Sequence, residues 1–229
     1  NGHGIRAVGK RQPPEAHLPP MDVLQDVLDR MTAPLEVLVL GPCTDVVDLL
    51  AWPRMAQRIT KMVVMGGAFQ AGGNITRFAE FNVFMDPKAA EGVMRSEVEA
   101  VWVPLDATQG HLYGRKEVLD EAGHGPRGEL IRELYDFCAT AHRKLGSGDG
   151  VFMHDVLAAA VWLDVIEADI RSTKLKEVVQ RGDQRGRIVH DPGNESGRSV
   201  RYCAEMDHEG FRLAWRNVLN ALDPKRTDA

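Results

Sequence analysis

Short apolar segments alternate with helical segments along the first half of the chain, and this order constrains the fold more than any other feature. Three runs, at 36–40, 62–65 and 98–105, have the composition of strands that are buried on both faces. Segments with helical periodicity or helix-start signals precede or separate them, among them 21–31 before the first run and the stretch that begins at Asp86-Pro87 before the third. Such an order is typical of a parallel sheet flanked by helices, so the sequence predicts an α/β fold.

Composition sets bounds on the kind of protein. The 229 residues are 44% hydrophobic and 27% charged, with a net charge of -5, as in an ordinary soluble globular protein. The Lys and Arg residues are scattered along the chain, which argues against nucleic acid as a partner. The sequence contains no run of about 18 apolar residues, the length that a membrane-spanning helix needs. Three separated cysteines, Cys43, Cys138 and Cys203, predict reduced thiols in a cytoplasmic protein. No repeat or linker divides the chain, so we expect one domain over residues 1–229.

A glycine-rich stretch with polar and aromatic residues follows the second apolar run. Four glycines are crowded into 66–73, and then Asn74, Glu80 and Asn82 occur among phenylalanines. Glycine lets a backbone approach a ligand closely, and amides and carboxylates provide directional hydrogen bonds. A small-molecule site and a surface loop with chance polar residues both fit this pattern.

A second candidate is His154-Asp155, which follows another glycine-rich segment and opens an apolar helix over 152–162. The aspartate could be a plain helix cap, or it could ligate a hard cation, while the imidazole could exchange a proton near neutral pH. In parallel α/β folds, ligands bind at the carboxyl ends of strands. Segments 40–44, 65–82 and 105–108 occupy such positions. Further along, 174–179, 186–190 and 199–205 alternate as exposed antiparallel strands would.

Several motifs in register resemble the inosine–uridine preferring nucleoside hydrolases. They are VVMGGAF at 63–69, GGNIT at 72–76, AEFNVFMDPKAA at 79–90 and HDVLAAA at 154–160, supported by GPCTD at 41–45 and VPLDAT at 103–108. The resemblance implies a nucleoside hydrolase-like, Rossmann-like domain. It also implies hydrolysis of the N-glycosidic bond of ribonucleosides to free base and ribose, with water activated by Ca²⁺, in a homodimer or homotetramer.

The resemblance also implies roles for particular residues on the ribose side of the site. Asn82 resembles the residue that grips the 2′- and 3′-hydroxyls of the sugar. Asn74 and Glu80 resemble the pair that holds the 5′-hydroxyl. Met65 and Phe81 resemble the apolar walls around the sugar.

Three further residues resemble the family's metal and acid groups. Asp155 resembles a late aspartate ligand of Ca²⁺, and Leu40 falls where the family provides a backbone carbonyl to the metal. His154 resembles the imidazole that protonates the leaving base in purine-accepting members. Preference between purine and pyrimidine bases stays open.

One family motif has no counterpart, the aspartate-rich DxDxxxDD loop that supplies most of the metal ligands and the general base. The first aspartate here is Asp22, in an amphipathic helix. We therefore expect a chain without the N-terminal strands, with an incomplete Ca²⁺ site and unpaired sheet edges. Hydrolysis is then expected only if the missing N-terminal segment is supplied. The alternative function is a catalytically inactive homologue that binds ribosides or assembles with a complete subunit. A third possibility is a generic α/β domain without a link to nucleosides.

Overall fold

A computed structural model describes residues 21–221, apart from 121, 123, 124, 145, 147, 192 and 194–196. The helices within these residues are α1 Met21–Arg30, α2 Thr44–Leu50, α3 Pro53–Ala56, α4 Phe81–Met85, α5 Pro87–Arg95, α6 Leu105–Thr108, α7 Arg115–Leu119, α8 Pro126–Lys144, α9 His154–Trp162 and α10 His208–Ala221. The strands are β1 Leu35–Val39, β2 Ile59–Met65, β3 Val101–Val103, β4 Ala168–Val178, β5 Ile188–His190 and β6 Arg198–Met206.

The described strands form one six-stranded sheet in the order β1-β2-β3-β6-β4-β5. Strands β1, β2, β3 and β6 are parallel to one another, while β4 runs antiparallel to both β6 and β5. The predicted α/β class with a mostly parallel sheet is confirmed.

Strand β2 shows why this sheet is buried on both sides. Met62 and Val64 pack into one hydrophobic cluster, and Val63 and Met65 into another. Successive side chains of a strand point to opposite faces, so an uninterrupted apolar run supplies both layers. Helix α5 packs on one side of the sheet, and α9 packs against β1 and β2.

The second half of the sheet is less exposed than the alternating sequence predicts. Strand β6 pairs in parallel with β3, which places it inside the main sheet. Leu175, Val178, Ile188, Val200 and Tyr202 are all buried in the same cluster as β2 and α5. The antiparallel pairing of β4 with its neighbours agrees with the prediction, and so does the exposure of alternate residues such as Lys176 and Arg201. The opposite face of these strands is buried in the main sheet, and the pairing of β6 with β3 is parallel, which the prediction did not include.

The chain divides into two compact units. The first comprises 1–31, 111–152 and 208–229; among its described residues, the Tyr113 hydroxyl lies 2.7 Å from Nδ1 of His208. The second comprises 32–110 and 153–207 and contains the whole sheet. A single domain over 1–229 stays a prediction. Within the described residues, no helix is both long enough and apolar enough to cross a membrane.

Candidate functional site

The candidate site lies at the carboxyl ends of β1, β2 and β3, in the unit that contains the sheet. Leu40 directly follows β1, Met65 is the last residue of β2, and α6 begins shortly after β3. Since the three strands are parallel, these ends share one edge of the sheet. All eight residues predicted from the sequence belong to this unit.

Glu80 holds the glycine-rich turn against the start of α4. Its side chain is only 2% exposed, and its carboxylate accepts hydrogen bonds from the N–H groups of Asn82 at 2.7 Å, Gly67 at 3.1 Å and Val83 at 3.1 Å. The residue is thus the N-cap of α4 and a clamp on the end of β2. Burial raises the pKa of the Glu80 carboxyl, against the three N–H groups that lower it.

Asn82 ties the ends of two strands together. Its amide Nδ2 donates to the carbonyl oxygen of Met65 at 3.1 Å and reaches that of Leu40 at 3.5 Å. The second contact is at the limit of a hydrogen bond. Because the amide's donors are directed at these carbonyls, its oxygen is the atom through which Asn82 could accept a hydrogen bond from a ligand hydroxyl.

The turn before α4 is closed by Asn74 and Gly73. The side-chain oxygen of Asn74 accepts from the N–H of Phe81 at 2.9 Å. A Cβ on Gly73 would lie 2.1 Å from the carbonyl oxygen of Ala79, so this backbone approach requires glycine. The turn thereby holds Asn74 beside Phe81, whose side chain is 47% exposed.

His154 and Asp155 are the first two residues of α9, which packs against β1 and β2. His154 is half-buried, and its Nδ1 lies 2.7 Å from the hydroxyl oxygen of Thr108 at the end of α6. Asp155 is exposed, yet desolvation of its carboxyl raises its pKa. The negative charge of Asp155 also contributes to the raised pKa of Glu80. The two carboxyl groups are therefore electrostatic neighbours, which connects α9 with the Glu80 turn.

The described residues do not form a calcium site by themselves. No group of three or more His, Cys, Asp or Glu side chains among them could hold a metal ion. Asp155 offers one carboxylate, and the Leu40 carbonyl faces the Asn82 amide. This set does not fit Ca²⁺, which takes about 6–8 oxygen ligands.

Asp106 and Thr108 lie near the site, and the sequence analysis assigned no role to either. The Asp106 carboxylate accepts from the N–H groups of Phe69 at 2.8 Å, Gln70 at 2.6 Å and Ala71 at 3.1 Å, and so fixes the loop after β2. Thr108 holds His154. The sequence places both within the strand-end segment LDAT, which was the available signal, but their partners are distant along the chain.

Cys43 is a buried thiol near the same turn. Burial, followed by the charges of Glu80 and Asp86, raises the pKa of Cys43 to about 12. The thiol therefore stays protonated near neutral pH and does not serve as a nucleophile.

A cavity of about 660 Å³ lies elsewhere in this unit, near the starts of β3 and β6. Four of its charged side chains form two pairs, Arg198 with Glu97 and Arg201 with Glu99. The strand carboxyl ends, where polar groups converge on backbone carbonyls and a histidine, are the better candidate site.

Curated relatives are similar to this sequence over most of its length. The chain is 32% identical over 193 residues to the non-specific ribonucleoside hydrolase RihC of Salmonella paratyphi A, covering 82% of this chain and 61% of that protein. It is 30% identical over 212 residues to RihC of Klebsiella pneumoniae subsp. pneumoniae, covering 90% of this chain and 67% of that protein. The chain thus spans about three fifths to two thirds of the length of these relatives.

Solved structures share the fold. The plant nucleoside hydrolase PpNRh1 superposes with a TM-score of 0.73 at 22% identity, covering 87% of this chain and 66% of that one. An inosine-uridine preferring nucleoside hydrolase from Bacillus anthracis superposes with a TM-score of 0.70 at 23% identity, covering 90% and 67%. The sequence model for inosine-uridine preferring nucleoside hydrolases matches residues 2–213. The chain therefore belongs to the inosine-uridine preferring nucleoside hydrolase family.

Proposed function

We propose that the protein hydrolyses the N-glycosidic bond of ribonucleosides and releases free base and ribose. One observation carries the proposal: the turn that holds Asn74, Glu80 and Asn82 lies at the carboxyl ends of the parallel strands β1 and β2, where the Asn82 amide contacts the carbonyl oxygens of Leu40 and Met65. Family membership supports the same reaction class.

The ribose would lie against the Glu80 turn. The Asn82 side-chain oxygen would accept from the 2′- or 3′-hydroxyl, and Asn74 with Glu80 would hold the 5′-hydroxyl. Glu80 already accepts three N–H groups, which leaves about one of the roughly four acceptor positions of a carboxylate for a sugar hydroxyl. Met65 and the exposed ring of Phe81 would provide apolar walls for the sugar.

Glycosidic cleavage develops positive charge on the sugar and negative charge on the departing base. The neighbouring carboxyl groups of Glu80 and Asp155 would favour the first charge when they are ionised. His154 would favour departure of the base by donating a proton to it. Purine or pyrimidine preference depends on base contacts that these residues do not define.

The described residues would supply only two of the ligands of a bound Ca²⁺. Asp155 would be one ligand and the Leu40 carbonyl a second, and the other ligands would have to come from outside the described residues. We also propose a cytoplasmic homodimer or homotetramer; the three cysteines are free thiols, which supports the location.

Hydrolysis of a nitrophenyl riboside by the 229-residue chain, with and without Ca²⁺, tests the proposal. We expect little release of nitrophenol by this chain alone, since its described residues do not fit Ca²⁺. The release that occurs should be lost in Asn82→Ala and retained in Asn217→Ala, an exposed asparagine in the other unit. Binding of ribosides without cleavage would favour the alternative function, a catalytically inactive riboside-binding or assembly partner. The absence of both binding and cleavage would contradict the nucleoside assignment.

A further inference from the structure

Thr108 connects two helices beneath the candidate site. It is the last residue of α6, it is 0% exposed, and α6 packs against α9. Its hydroxyl oxygen lies 2.7 Å from Nδ1 of His154 and 3.1 Å from the carbonyl oxygen of Pro104. A buried hydroxyl between an imidazole and a carbonyl restricts where the hydrogen atoms can be.

The number of donors and acceptors favours one arrangement. A carbonyl oxygen only accepts, so the contact with Pro104 uses the single hydrogen of the Thr108 hydroxyl. The same oxygen then accepts at its other contact, and Nδ1 of His154 must carry the hydrogen. In the opposite arrangement Thr108 donates to Nδ1, and the Pro104 contact is lost. Only the first arrangement makes both hydrogen bonds.

We propose that Thr108 is a positioning residue that holds His154 in the Nδ1–H tautomer. Its effect on riboside cleavage rests on the proposed function, whereas the tautomer does not. The same hydroxyl orientation fits an imidazolium, in which both ring nitrogens donate. Thr108 therefore keeps the orientation of the ring in either state, as a second partner of a functional histidine does in many sites.

Nitrogen NMR of the whole 229-residue chain, labelled with ¹⁵N-histidine, tests the tautomer. Long-range ¹H–¹⁵N spectra at about pH 8, above the ordinary histidine pKa of about 6.5, distinguish which ring nitrogen carries the hydrogen. His154→Asn identifies the signal by its loss. The wild-type spectrum should show the hydrogen of His154 on Nδ1. A hydrogen on Nε2 in the wild-type spectrum would by itself overturn the inference.

Two substitutions and a control test whether Thr108 is the cause. Thr108→Val keeps the shape but removes the acceptor, so the His154 signal should shift toward the Nε2–H tautomer. Thr108→Ser should restore the wild-type signal. Thr140→Val is the matched control, because the Thr140 hydroxyl makes a similar bond to the carbonyl of Asp136, four residues earlier in the chain, at 2.7 Å. A tautomer in Thr108→Val that equals wild type would refute the role of Thr108.

Kinetics separate this inference from the proposed function. If the chain cleaves ribosides, Thr108→Val should lower kcat by about five- to tenfold, the loss of roughly one hydrogen bond, with KM unchanged. A rise in KM alone would contradict a role through His154. If the chain cleaves nothing, the proposed function fails while the NMR result still decides the tautomer.

Discussion

Replacement of Glu80 by alanine should destabilise the fold by an amount that the contacts define. The substitution removes the N-cap of α4, which is worth about 1 kcal/mol. It also leaves the N–H of Gly67 without the acceptor at 3.1 Å, and an unsatisfied buried donor costs about 1–3 kcal/mol. We expect the free energy of unfolding to fall by about 2–4 kcal/mol in total.

Glu80→Gln keeps the shape of the side chain but replaces one of its two acceptor oxygens by an amide NH₂ group, so it tests how much the hydrogen bonds alone contribute to stability. One oxygen stays, but the new amide would point hydrogens at backbone N–H groups that donate to the carboxylate in wild type. The loss should be smaller than in Glu80→Ala, about 1–2 kcal/mol. Glu97→Ala is the control, because that side chain is 94% exposed and should change stability by less than about 0.5 kcal/mol.

Urea denaturation, followed by circular dichroism and by tryptophan fluorescence, measures these differences. Trp102 is a suitable reporter because it is 1% exposed and close to Gly66, beside the clamped turn. Should Glu80→Ala match Glu97→Ala in stability, the buried carboxylate would not hold the turn, and our account of the site's geometry would be wrong.

Two further substitutions test the same region. Gly73→Ala should lower the free energy of unfolding by about 1–3 kcal/mol, because its Cβ would lie 2.1 Å from the Ala79 carbonyl oxygen. Gly72→Ala is the control and should lower it by less, because its Cβ would meet no atom closer than 3.9 Å. Urea denaturation compares the two variants. Asp86→Ala should cost about 1 kcal/mol near pH 7, because Asp86 caps α5. The Ala89 N–H, ahead of the Thr44 hydroxyl, lowers the pKa of Asp86 below its ordinary 3.8, so the stabilisation is present above that pH and is lost as pH falls through the folded value. A cost for Asp86→Ala that stays constant down to about pH 2 would contradict the cap.

The parallel half of the sheet could be predicted because short stretches of sequence indicate its strands and the helix that packs on it. The apolar runs of β1 and β2 and the Asp86-Pro87 start of α5 can each be recognised within a few residues. Helix α4, Phe81–Met85, has only 5 residues, too few to show a period, and Glu80 is not a preferred capping residue. It was therefore not predicted.

Pairing between distant segments could not be predicted. An alternating strand such as β6 has the same sequence pattern whether it lies in an exposed hairpin or beside β3 in the main sheet, and only the chain's long-range packing decides. The same limit applies to the site. The contacts of Thr108 with His154, and of Asp106 with the loop after β2, join residues that lie 35–46 positions apart.

The central claim is that the Glu80 turn recognises ribose, and NMR titration tests it most directly. Backbone ¹H–¹⁵N spectra of the 229-residue chain would be recorded with increasing amounts of a ribose-mimicking inhibitor. We predict that the largest shifts occur at Asn74, Glu80 and Asn82 and disappear in Asn82→Ala. Shifts that spare these three residues, or no shifts at all, would contradict the claim.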